Sequence, residues 1–174
     1  TLNLTALGVP AGTLRIPPLA RFMPQIGLTE ADAPAVARNI MNRLEKKMQP
    51  LLAQFSTNGY YPLTGNPGDF SVRLVSSFDS PDLWGQKNVS RVLVGGTQQE
   101  ILQDDIGLLG IAQSVDLGNF AHEETTLVML DLAGTDALDR QTVPIAGNVT
   151  VADLFAELVA DTIAHEDTYS LHSK

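Results

Sequence analysis

Residues 150–172 read TVADLFAELVADTIAHEDTYSLH and carry the strongest helical pattern in the 174-residue chain. Thr150 followed by Asp153 predicts a helix start, because the hydroxyl and the carboxylate can each bind an amide of the first turn. Polar and apolar residues then alternate with helical spacing, which predicts one buried stripe. That stripe comprises Val151, Leu154, Phe155, Leu158, Val159 and Thr162. His165 lies seven residues after Leu158, so we expect it to continue the buried stripe to the end of the helix.

A second helix is predicted over residues 29–49. Thr29 and Asp32 compete as its N-cap, and Pro50 would end it. Its apolar stripe has a spacing of four residues and comprises Val36, Ile40, Leu44 and Met48. Cationic side chains fall toward its C-terminal end, where they suit the helix dipole.

Short apolar stretches between these two helices predict strands. They are residues 70–76, 91–94 and 126–132, and the last is a continuous apolar run typical of a central strand. The order helix, strands, helix predicts an α/β (α+β) domain, with a mixed sheet packed with two long helices. We expect this domain over residues 29–174, preceded by an extended N-terminal arm, residues 1–28, that is rich in proline and glycine.

The composition excludes several classes of partner and site. A net charge of −9 argues against nucleic acid, which needs clustered Lys and Arg. The absence of cysteine excludes disulfides and thiolate metal sites. No apolar run is long enough for membrane insertion. Asn3, Asn88 and Asn148 each begin an N-x-[ST] triplet, a pattern too short to predict glycosylation.

The pair His165–Glu166 has the residue types that begin a helical zinc site. Two histidines four residues apart can bind one Zn²⁺, and an intervening Glu acts as general base on the bound water. Here the i+4 position is Tyr169, whose phenol ordinarily has a pKa near ~10 and is a weaker ligand than imidazole. His172 lies ~10 Å from His165 along an unbroken helix, so sharing one ion would require the last turn to unwind.

Several stretches together resemble the metzincin-type zinc metalloprotease domains of large secreted bacterial proteins. They are NVSRVLVGGT (88–97), GIAQSVDLGNFAHEETTLVMLD (110–131) and AHE at the end of the long helix (164–166). The resemblance implies a zincin-like fold, the N-terminal metzincin subdomain. It also implies zinc as cofactor, a peptide or protein substrate and a secreted, extracellular location. His165 would be a metal ligand and Glu166 the catalytic base.

The chain departs from the family motif H-E-x-x-H-x-x-G-x-x-H after its first two positions. Tyr169 stands where the second histidine would be and His172 where the glycine would be, and the chain stops at Lys174, one residue before the third histidine. We therefore expect a degenerate or truncated zinc metallopeptidase domain that is inactive as it stands. A pseudoenzyme, a truncation or altered reading frame after Glu166, and a chance H-E pair at a solvated helix end each explain the mismatch.

A second hypothesis is a non-catalytic extracellular binding or assembly module. In the family a strand edge along the cleft binds substrate as an added strand, a role that falls here to residues 126–132 or a neighbouring strand. The same edge could pair with the arm of another copy, giving a homo-oligomer or filament. Calcium is a further cation to consider, because carboxylates cluster in loops at residues 104–105, 116 and 123–124.

Overall fold

The computed structural model describes residues 15–49, 72–87, 89–103, 107–112, 124–131 and 148–171, the last range with side chains to residue 166. These residues form a mixed α+β arrangement. Two 3₁₀ helices, Leu19–Ile26 and Glu30–Asp32, precede α1 (Ala33–Lys47). Strand β1 (Arg91–Val94), helix α2 (Gln98–Ile101), strands β2 (Gly110–Ala112) and β3 (Thr125–Val128), and helix α3 (Val151–Leu171) follow. The α/β class predicted from the sequence is confirmed at this level.

The two long helices begin where their sequences predict. Thr150 and Asp153 form the expected reciprocal cap: the Asp153 amide donates to the Thr150 hydroxyl at 3.0 Å, and the Thr150 amide donates to the Asp153 carboxylate at 3.1 Å. Thr29 and Asp32 make the same arrangement, so Thr29 is the cap and the first turn is 3₁₀. The apolar stripe of α1 is buried as predicted.

The described strands form one small mixed sheet in the order β1-β3-β2. β1 runs parallel to β3, with Leu93 opposite Leu127, and β2 runs antiparallel to it, with Ile111 opposite Leu127. β3 is therefore the central strand, as its continuous apolar sequence predicts, and all four of its residues are buried. The strand predicted over 70–76 is not confirmed: residues 73–76 form no strand, although Leu74 packs against the core.

Helix α3 is the middle layer, contacting α1 on one side and strands β2 and β3 on the other. Phe155, Ala156, Val159, Ala160 and Ile163 lie in the core between these layers. At roughly 25 cal/mol per Å² of apolar surface, such fully buried side chains are the main source of stability.

Part of the predicted N-terminal arm lies in this same core. Leu19–Ile26 is a 3₁₀ helix rather than an extended segment, and its side chains Leu19, Phe22, Met23 and Ile26 are buried. Just before it, the Gly96 amide donates to the Pro17 carbonyl at 3.1 Å. Residues 17–26 thus pack against and hydrogen-bond to the rest of their own chain. Residues 1–14 of the arm lie outside the described residues, and the domain boundary at 28–29 stays a prediction.

Candidate functional site

The end of α3 carries the predicted pair in an orientation opposite to the one expected. His165 is exposed, whereas Glu166 is half-buried. The prediction that His165 continues the buried stripe is therefore wrong. The stripe runs through Val159 and Ile163, and Glu166 follows these by seven and three residues, so Glu166 falls on the inner face.

Glu166 lies against strand β2. The Ala112 backbone N–H donates a hydrogen bond to its carboxylate, which favours the ionised form. Burial acts more strongly in the other direction, so the pKa of Glu166 is raised above its ordinary value of 4.5, against the lowering influence of the neighbouring His165 and the still smaller one of the Ala112 N–H. A carboxyl group with a raised pKa holds its proton more readily than a solvated one, a property that acid–base catalysts use.

Gly110 makes room for this carboxylate. A Cβ added at Gly110 would lie 2.6 Å from Cγ, 2.8 Å from Oε1 and 2.9 Å from Cδ of Glu166. Gly110 is the first residue of β2, whereas Gly107, with its φ of 74°, lies in the loop that precedes this strand. Glycine in a strand often marks a place where another group approaches the backbone closely, as Glu166 does here.

The other predicted metal ligands do not complete a zinc site among the described residues. Helix α3 continues unbroken to Leu171, so the last turn does not unwind. Tyr169 is helical in its backbone, while His172 lies outside the described residues. Within the part of the chain that the structure describes, no group of three His, Cys, Asp or Glu side chains could hold a metal ion. Zinc therefore stays a prediction.

Asp161, one helical turn before His165, is paired with a cation on helix α1. Its carboxylate lies 2.7 Å from the Lys47 ammonium nitrogen on α1. It belongs to a row of charges that joins the two long helices, in which Arg43 and Lys47 face Asp153 and Glu157. Asp161 thus has a structural contact on the side of α3 that faces α1.

The strand edge beside the candidate site is that of β2. β3, the first segment considered for this role, has a strand on each side, whereas the described sheet ends at β2. The neighbouring strand is therefore the one that presents an edge near Glu166.

Of the acidic loop residues considered for calcium, only Glu124 is described, and it is buried beside β1 with its carbonyl accepting from the Arg91 amide. Calcium binding stays a prediction.

A groove of about 570 Å³ lies elsewhere, between the outer face of α1 and residues 73–83. Its walls mix apolar and polar side chains, including the exposed Arg38 and Asp79, whose charged atoms are 3.7 Å apart. Neither His165 nor Glu166 lines this groove. Glu166 and its contacts on β2 remain the candidate site.

No protein-family model matches the chain, and neither a curated protein nor a solved structure does so. The resemblance to metzincin-type domains consequently stays a prediction carried by the sequence stretches that suggested it. No helix within the described ranges is long and apolar enough to cross a membrane.

Proposed function

We propose that this chain carries a metzincin-like zinc-peptidase domain with an incomplete zinc site, and that the protein is extracellular. The proposal rests on the position of the Glu166 side chain. The candidate base is half-buried at the end of the long helix, next to the edge strand β2, with the pKa of its carboxyl group raised by burial. The resemblance to metzincin-type domains implies this combination, in which a long helix ends in His-Glu and a strand edge runs along the substrate cleft.

The metal requirement limits what this site does. Zinc hydrolases bind their ion through three protein ligands, and His165 is the only imidazole among the described residues of α3. Position 169, one helical turn further, has a tyrosine where a second imidazole is needed. The described residues do not fit a complete zinc site, so we derive no hydrolytic step and expect no peptidase activity from this chain.

Restoring the missing ligand tests the proposal. The Tyr169→His variant would place two imidazoles one turn apart on α3, and we expect its zinc affinity to rise by at least about tenfold over the unmodified chain. Isothermal titration with zinc chloride measures the affinity, and a zinc-dependent rise in melting temperature provides a second readout.

A matched control is Asp161→His, which has the same spacing from His165 in the opposite direction. Its new imidazole would lie beside the Lys47 ammonium group, which repels a cation. The proposal fails if the control gains as much affinity as Tyr169→His. It also fails if the unmodified chain already binds one equivalent of zinc and cleaves peptides.

The alternative of an assembly module draws support from the end of the described sheet at β2, an edge that can accept an extended segment. Because residues 17–26 are attached to their own chain, an exchanged arm would consist of residues 1–14. Sedimentation of the full chain and of a variant lacking residues 1–14 separates the two functions. A multimer that dissociates on deletion supports assembly, and an unchanged monomer excludes it.

A further inference from the structure

The register of β2 shows which of its backbone groups point away from the sheet. The Met129 amide donates to the Leu109 carbonyl at 2.8 Å, so Leu109 and Met129 form a hydrogen-bonded pair. Opposite residues of an antiparallel ladder alternate between bonded and non-bonded pairs. Gly110, opposite Val128, and Ala112, opposite Thr126, are therefore in non-bonded pairs. Their N–H and C=O groups point outward, toward the edge that an added strand would use.

Glu166 reaches this edge from the face of the sheet that α3 covers. Its carboxylate accepts the Ala112 N–H, and its Cγ, Cδ and Oε1 fill the space where Gly110 has no side chain. The two outward-facing residues of β2 are thus both in contact with one side chain of α3. Edge strands in native proteins are commonly protected from unwanted pairing, and a carboxylate that uses an edge amide has that effect.

We propose that Glu166 closes the outer edge of β2, so that an extended peptide segment pairs with this strand only after the Glu166 side chain turns away from Ala112. Gly110 is the residue that lets Glu166 reach this position. The inference deepens the proposed function, on which it rests for the idea that a peptide is the ligand. The closing contact itself requires no zinc.

Amide hydrogen exchange at Ala112 tests the closing contact directly. In Glu166→Ala the Ala112 N–H loses its acceptor, and we expect it to exchange at least about tenfold faster, the factor that corresponds to one charge-assisted hydrogen bond. Glu166→Gln keeps an acceptor oxygen and should restore most of the protection. Glu157→Ala, on the same helix but facing α1, should leave Ala112 unchanged. Unaltered exchange at Ala112 in Glu166→Ala would overturn the proposal.

Peptide binding tests the consequence. The probe is a capped peptide of alternating valine and threonine, added to the unmodified chain and to Glu166→Ala in separate samples. We expect it to slow Ala112 exchange in the variant and to bind the variant at least about tenfold more tightly, since no carboxylate competes for the amide. Equal affinity for both proteins would overturn the proposal. Zinc affinity of Tyr169→His is measured separately, so failure of the zinc site and failure of the closed edge give different results.

Discussion

Glu166 owes its position to two features of β2 that involve no side-chain chemistry. One is the outward N–H of Ala112, and the other is the missing Cβ of Gly110. A half-buried carboxylate needs a hydrogen-bond donor to offset its lost hydration, and the backbone amide provides one. The position of this acid is therefore set by the strand as much as by the helix.

Adding a methyl group at Gly110 should disturb the site. A Cβ 2.6 Å from Glu166 Cγ requires the side chain to move. Because the clash is with the end of a flexible, half-buried side chain, it should cost about 1 kcal/mol of unfolding free energy or less. We expect Gly110→Ala to be destabilised by that amount in chemical denaturation. The double variant Gly110→Ala/Glu166→Ala should recover most of the loss. If the double variant is destabilised as much as the sum of the two single changes, the clash is not the cause.

The sequence identified the pair His165–Glu166 but reversed which residue is buried. Extrapolation started from Leu158, which lies at the margin of the stripe and is only half-buried. Seven residues of an α-helix fall about 20° short of two full turns, so the extrapolated position drifts further from the centre. The contact with β2 could not be predicted, because periodicity within one helix does not say which strand will pack against it.

At the scale of elements, α1 and α3 are joined by apolar packing and by a row of ion pairs. The Arg43 guanidinium bonds to Glu157 and lies 3.2 Å from Asp153, and the Lys47 ammonium lies 2.5 Å from Glu157. These side chains are about one quarter to just over one third exposed, so their charges are less screened than those of a fully solvated pair. Glu157, which bonds to both cations, is the centre of the row.

Removing the charge at Glu157 should weaken the contact between the helices. We expect Glu157→Gln to lower the free energy of unfolding by about 0.5–1 kcal/mol, with a smaller difference at high salt. Asp79→Asn is the control, because Asp79 and Arg38 are each at least half exposed and 3.7 Å apart, and its effect should be close to zero. Equal effects of the two substitutions in urea denaturation would show that the ion-pair row stabilises the protein no more than an exposed ion pair does.

At the scale of the whole molecule, the core includes a segment that the sequence assigns to an arm. The buried residues Leu19, Phe22, Met23 and Ile26 do follow the i, i+3, i+4, i+7 spacing of a helix. Pro24, the prolines before the segment and the glycine after it obscure this signal, because they favour turns and loops. The two long helices were predictable because each repeats one clear period, and the central strand was predictable because its apolar run is continuous. The short edge strand β2 was not, since three residues are too few to show alternation.

Truncating Phe22 tests whether this segment is part of the core. Phe22 is 1% exposed, and replacing it with alanine should cost about 3–5 kcal/mol in chemical denaturation. Gln25, exposed on the same 3₁₀ helix, is the control, and Gln25→Ala should change stability by less than about 0.5 kcal/mol. A Phe22→Ala variant as stable as the control would show that residues 19–26 are not part of the core and belong to the N-terminal arm.

The ion-pair row should also make stability depend on pH. Bonds from Lys47 and then Arg43 hold the pKa of Glu157 below its ordinary value of 4.5. The ionised Glu157 side chain therefore contributes to the free energy of unfolding above pH 4.5, and this contribution is lost as the pH falls through the lowered pKa. We expect the unfolding free energy of the unmodified chain to decrease from pH 5 to pH 3, and that of Glu157→Gln to decrease less. Parallel curves for the two proteins would exclude this role for Glu157.

The contact between the end of α3 and strand β2 underlies both the candidate site and the closed edge. Isotope-edited NOE spectroscopy measures it directly, as a cross-peak between the Ala112 amide proton and the Glu166 side-chain methylene protons. We predict that this cross-peak is present in the unmodified chain and accompanies those from Ala112 to its neighbours in β2. An Ala112 amide with clear cross-peaks within the sheet but none to Glu166 would contradict both the candidate site and the closed edge.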